Sequence, residues 1–182
     1  MQALHDVVMA GKVRYLGASS MWAWQFSKLQ YVAELHGWTK FVSMQDQYSL
    51  MQREEEREMF GLLADQGVSS IPWCPLAKGR LARPFGERTR RSAIDPIGIR
   101  AFGDGDQPII DAVQKVAEGR GIPMAQVALA WVLANPVVAA PIVGATNPRH
   151  LAEAVGALDV HLSGEEIRIL TEPYTVRQPT GF

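Results

Sequence analysis

Val13-Arg14-Tyr15-Leu16-Gly17-Ala18-Ser19-Ser20, followed at once by Met21-Trp22-Ala23-Trp24-Gln25-Phe26, decides the fold. Val13–Ala18 is a short run of strand type, and Ser19-Ser20 supplies a polar turn. From Met21 to Leu35 apolar residues recur at helical spacing. Trp22, Phe26, Leu29 and Val32/Ala33 make the stripe, and Gly37 stops it. A strand that hands directly to a helix is the building unit of parallel sheets, because a parallel neighbour needs a crossover connection.

The same unit repeats outward from this stretch. Upstream, Ala3, Leu4, Val7 and Val8 sit at helical spacing and Gly11-Lys12 closes a helix. No cap precedes it, so the pattern starts partway through an architecture. Downstream, Phe41–Gln45 reads as a second strand. A helix over Arg53–Asp65 follows, with Glu54, Glu55 and Glu56 suited to its positive first turn, and Gly67 ends it. Val68–Trp73 is a third strand. An irregular stretch, Cys74–Asp106, is too long for an ordinary connection, as functional or disordered loops are. Helices over Pro108–Arg120 and Met124–Ala134 lead to a fourth strand at Val138–Val143. Asn147-Pro148 opens a helix to about Ala157, and Leu162–Ile167 contains a capping box that starts a last helix. Four parallel strand–helix units amount to about half of a closed α/β barrel.

Composition narrows the function classes. The chain has 182 residues, 47% apolar and 20% charged, with a net charge of −1, so no global field draws nucleic acid or an anionic membrane. The single cysteine, Cys74, excludes an internal disulfide framework and fits a reducing cytoplasm. His5, His36, His150 and His161 show no metal spacing. Val127–Ala145 imitates a membrane span, but Asn135-Pro136 and Pro141 break it into a buried helix, a turn and a strand.

Ligands of parallel α/β folds lie at the carboxyl ends of the strands. The turn Gly144–Pro148 leads into a helix whose amino end is either an anion site or simply a capped terminus. Thr146, Asn147, Arg149 and His150 stand ready for a phosphate. Lys78 to Arg100 contains seven basic and two acidic residues, either a cover for a phosphate-bearing cofactor or a solvated loop. Trp73, held between Pro72 and Pro75, is either a stacking surface for a flat ring or core packing. Ser19 and Gln45 have the groups to bind a carboxamide. Tyr48 and Asp46 suggest acid–base work, but no lysine or histidine is spaced to assist them.

At these residues the chain resembles the aldo-keto reductase family. Gly11–Ser20 is similar to the segment entering that barrel's fifth strand, and Gln45 to the strand-six glutamine. Ile71-Pro72-Trp73-Cys74-Pro75-Leu76-Ala77-Lys78-Gly79-Arg80-Leu81 resembles strand seven and its phosphate loop. Gln126–Leu133 and Pro141–Thr146 resemble the last helix–strand passage. The resemblance implies the C-terminal half of a parallel (β/α)8 TIM-type barrel, spanning 1–182 as one partial domain. It implies an NADP(H)-dependent oxidoreductase, with NAD(H) open as well.

Under the resemblance Ser19, Ser20 and Gln45 would hold the nicotinamide carboxamide, and Trp73 would stack on its ring. Cys74, Leu76, Gly79 and Leu81 would follow the pyrophosphate. Gly144, Thr146, Asn147 and His150 would face the adenosine 2′-phosphate, with Glu153 near the adenine. Ser20, Cys74, His150 and Ala154 depart from the family's commoner Asn, Ser, Arg and Asn. The family's catalytic Asp, Tyr, Lys and His lie on the first four strand ends, and no position here corresponds to them. The expectation is therefore a reductase whose catalytic half lies outside these residues, or a non-catalytic nucleotide-binding module, or a truncated remnant. Open sheet edges further imply association, with a second copy or a complementary half-barrel.

Overall fold

The computed structural model describes residues 1–87, 104–145 and 147–178. Three parallel strands form a sheet in the order β1 (Leu16–Ser19), β2 (Phe41–Gln45), β3 (Ser69–Ser70). Helices α1 (Gln2–Met9), α2 (Ala23–Leu35) and α3 (Met59–Gln66) precede these strands or link them. After β3 come α4 (Gln107–Arg120), α5 (Met124–Leu133), α6 (Pro148–Gly156) and α7 (Gly164–Thr171). The architecture is α/β with a parallel sheet, as the strand–helix repeat implies.

One side of the sheet is packed and the other is open. In β1, Leu16 and Ala18 are buried while Gly17 and Ser19 are exposed. The buried row meets the helices: Phe26 of α2 stacks on Phe41 of β2 with ring centroids 5.9 Å apart. Gly17 sits where β1 approaches β2 closely, since a Cβ there would lie 2.6 Å from the Ser43 hydroxyl. The strand register also slips at this point, Leu16 facing Phe41 but Gly17 facing Ser43. Beyond β2, Tyr48 is fully buried between Trp131, stacked at 5.1 Å, and Phe60, edge-on at 4.7 Å. Eight of the ten residues of α5 are buried. This explains the first half of the long apolar run as core, but the strand expected to be buried after it is not, Ile142 and Val143 being exposed; among the described residues no helix is long and apolar enough to cross a membrane.

Three expectations change. The α2 stripe is rotated: Phe26, Gln30 and Ala33 are buried while Trp22 is exposed. Gln30 tolerates burial because its amide bonds both backbone groups of Phe41, at 3.0 and 2.8 Å. The expected helix over 53–65 is broken into a 3₁₀ turn, Glu54–Glu56, and α3. Glu54 is buried, accepts hydrogen bonds from Tyr174 Oη (2.8 Å) and the Arg177 backbone (2.9 Å), and pairs with Arg57 at 3.2 Å. The fourth strand is reduced to single parallel bridges, Ser70 to Val138 and Trp73 to Ile142. Pro141 removes a donor between them. Most of the basic loop read over Lys78–Arg100 lies outside the described residues, as do Thr146 and the expected domain's last four positions.

Candidate functional site

The strand ends converge as the topology requires. The Gln45 carbonyl closes β2 and accepts both the Ser19 hydroxyl (3.2 Å) and the Ser20 backbone N–H (3.0 Å). Ser20 takes a left-handed φ of 24° to make this turn. Ser19, Ser20 and Gln45 are thus one cluster at the ends of β1 and β2. Trp73 stands at the next strand end. Its N–H donates to the Asp46 carbonyl (2.8 Å), its carbonyl accepts from Tyr48 (3.4 Å), and its ring is half-buried.

After Trp73 the backbone turns left-handed repeatedly. Cys74, Ala77, Lys78 and Gly79 have φ of 59°, 47°, 59° and 88°. The Leu76 carbonyl ties the turn by accepting from Gly79 (2.8 Å) and Leu81 (3.3 Å). At Gly79 the φ of 88° is one that side chains rarely adopt, and a Cβ would lie 3.0 Å from the end of the flexible Arg83 side chain. The Leu81 side chain is fully buried, so it anchors the loop from below.

A groove of about 710 Å³ runs from Trp73 along this loop to α6. It brings together Trp73, Cys74, Leu76, Gly79, Gly144, His150 and Glu153, with Lys78 and Arg83 beside them. Ser19, Ser20 and Gln45 stand apart from it at their own strand ends. Asn147 turns its side chain back to accept the Arg149 N–H (2.9 Å), capping α6. Asn147 lines a neighbouring hollow of about 740 Å³, with Arg149 on the same wall and His150 and Glu153 shared by both spaces. Arg149 pairs with Glu153 at 2.8 Å.

Two carboxyls lie at the end of β2 and in the turn after it: Asp46, which the strand-end reading included, is buried, and Glu55, which it did not include, is half-buried. Ser70 donates to Asp46 Oδ1 at 2.7 Å, and Asp46 Oδ2 is buried without a partner. Burial pushes the Asp46 carboxyl up to about 6 against the Ser70 hydrogen bond. Glu55 is pushed up to about 7 by burial and by the neighbouring Asp46 and Glu54 carboxylates. The signal was available: Asp46 shares the parity of Met44 and breaks an otherwise apolar, helix-facing row. Tyr48 is no proton donor to a ligand, for burial and its 2.6 Å hydrogen bond to Glu56 push its hydroxyl far above the ordinary range. Among the described residues no group of His, Cys, Asp and Glu could hold a metal.

Comparison with known proteins joins this geometry to a family. The model of the aldo/keto reductase family matches residues 1–174. The chain is 48% identical over 179 residues to versiconal hemiacetal acetate reductase of Aspergillus parasiticus, covering 96% of this chain and 52% of that protein. It is 48% identical over 187 residues to an aldo-keto reductase of Alternaria alternata, covering 100% and 50%. An aldo-keto reductase of Metarhizium robertsii matches at 45% over 185 residues, covering 100% and 50%. The chain spans about half the length of the curated relatives it matches.

Proposed function

The chain belongs to the aldo/keto reductase family, and from that premise we propose that it is the C-terminal, cofactor-gripping half of a (β/α)8 barrel. The proposed reaction is NADP(H)-dependent reduction of an aldehyde or ketone, with the bound nicotinamide supplying the hydride. The proton-donating tyrosine and its Asp, Lys and His partners are assigned to the complementary first four strands. The observation that carries the reading is the groove from Trp73 to His150. Its volume of about 710 Å³ falls in the usual range for ligand clefts, about 300–1,000 Å³.

The residues present fit such a cofactor. The half-buried Trp73 offers a flat apolar surface at one end of the groove. The left-handed Cys74–Gly79 turn, with Lys78 and Arg83 at its wall, suits an anionic linkage. At the far end, His150 and Glu153 on α6 suit a nucleoside, and the Arg149–Glu153 pair offers a cation next to His150. The Gln45 amide and Ser19 hydroxyl would orient a carboxamide, and the groove's apolar wall would exclude water from the ring. We read the protein as cytoplasmic.

The reading separates grip from chemistry, so turnover tests it. The purified chain alone should oxidise NADPH no faster with a carbonyl substrate than without one. Co-expression with the first half of a relative's barrel should restore carbonyl-dependent oxidation. Catalytic turnover by the chain alone, or none in the reconstituted pair once it is shown to be folded, would contradict the assignment.

A further inference from the structure

We propose that Asp46 is a positioning residue: from beneath the strand ends it clamps β2 to β3 through Ser70 and sets where Gln45 and Trp73 stand relative to one another. The inference rests on the cofactor reading above for what that platform serves.

The backbone ladder between β2 and β3 is short. Its paired residues are Ser43 with Ser69 and Met44 with Ser70, and β3 itself has two residues. Beyond it the pairing continues through single backbone bonds, from the Ile71 N–H to Met44 (2.8 Å) and from the Tyr48 N–H to Trp73 (3.4 Å), with a lone parallel bridge at Gln47 and Trp73. Asp46 adds two ties on either side of Pro72. Its side chain accepts from the Ser70 hydroxyl at 2.7 Å, and its backbone carbonyl accepts from Trp73 at 2.8 Å. Directly before it, the Gln45 carbonyl gathers Ser19 and Ser20. Ser70 in turn exchanges backbone bonds with the fourth segment, at Val137 and Ala139. The single Asp46–Ser70 side-chain bond thus lies beside the backbone bonds that join β2 to β1 and β3 and join β3 to the fourth segment.

Packing alone does not account for an aspartate there. Asp46 is 1% exposed, and a buried oxygen without a partner costs free energy that an apolar side chain would not. Asparagine has nearly the same shape, keeps the acceptor for Ser70 and carries no charge. It should preserve the clamp, whereas alanine removes it.

The test uses hydrogen exchange in the full chain, with the Trp73 amide as reporter. Asp46→Ala and Ser70→Ala should speed exchange at Trp73 about tenfold or more while α5 stays protected. Asp46→Asn should restore the parent rate. NADPH affinity should fall in the same order. If Asp46→Ala also exposes α5, the Ser70→Ala variant, which loses one hydroxyl, decides. An unchanged Trp73 rate in a folded Ser70→Ala protein overturns the clamp, as does Asp46→Asn behaving like alanine. If the parent chain binds no NADPH, the cofactor reading fails while the exchange order still decides the clamp.

Discussion

Asp46 and Glu55 make the fold sensitive to base rather than acid. Both carboxyls are pushed above their ordinary range, to about 6 and about 7, chiefly by burial, with Glu54 and Asp46 itself adding to the effect on Glu55. Their protonated forms suit the fold. The stability they contribute is complete below the ordinary carboxylate range and is lost as pH rises through 6 to 7. Glu166 has the opposite sign. Its hydrogen bond from Arg120, helped by Ser163, holds it down at about 2, so its contribution is lost only in strong acid. Melting curves should therefore show lower stability at pH 8 than at pH 5. Asp46→Asn should recover about 1–3 kcal/mol at pH 8 and little at pH 3, below the ordinary carboxylate range. Equal stability of parent and variant at pH 8 would contradict this. Ser19, Gln45 and Trp73 were legible in the sequence because they end strands. Asp46 was legible as a polar residue at the same strand end, but its burial was not, since alternation puts it on the face where an apolar residue belongs.

The elements best read from sequence are those whose signals are local. Ser163 caps α7, accepting from Glu166 at 3.3 Å while Glu166 accepts from the Ser163 N–H at 2.7 Å. Ser163→Ala should lower unfolding free energy by about 1 kcal/mol in urea titration. The break between the 3₁₀ turn and α3 was not legible, because its cause lies some 120 residues away. Tyr174 donates to Glu54 at 2.8 Å and accepts from the Arg53 N–H at 3.0 Å. Arg53 also stacks on the Tyr174 ring at 5.1 Å. Tyr174→Phe takes one donor from the buried Glu54 carboxylate and the acceptor from the Arg53 N–H, so it should cost about 1–3 kcal/mol. Limited proteolysis should then cut residues 175–178 faster than in the parent. An unchanged cleavage rate would show that the segment is held by other contacts. The fourth strand was legible as a place but not as a ladder, since Pro141 and the bridge spacing are matters of partner geometry.

At the scale of the molecule, a parallel sheet with one open face brings its strand ends to a groove. Gly17 and Ser19 on that face are exposed, as is Val42 at 48%. Such an open sheet favours association. Sedimentation velocity should show a concentration-dependent dimer, or a stable complex when the complementary half-barrel is supplied; a dilute monomer unmoved by either would count against association. The family was legible because its motifs recur in order along nearly the whole chain, and the parallel repeat because each strand carries its own turn and helix. The proposed division between cofactor grip and proton transfer rests on the groove, so binding is its most direct measurement. Titrating the purified chain with NADPH and following nicotinamide fluorescence should give a saturable enhancement. Trp73→Ala should weaken it at least tenfold, with the fold intact by circular dichroism. A folded parent chain that gives no saturable signal, or one that Trp73→Ala leaves unchanged, would contradict the account.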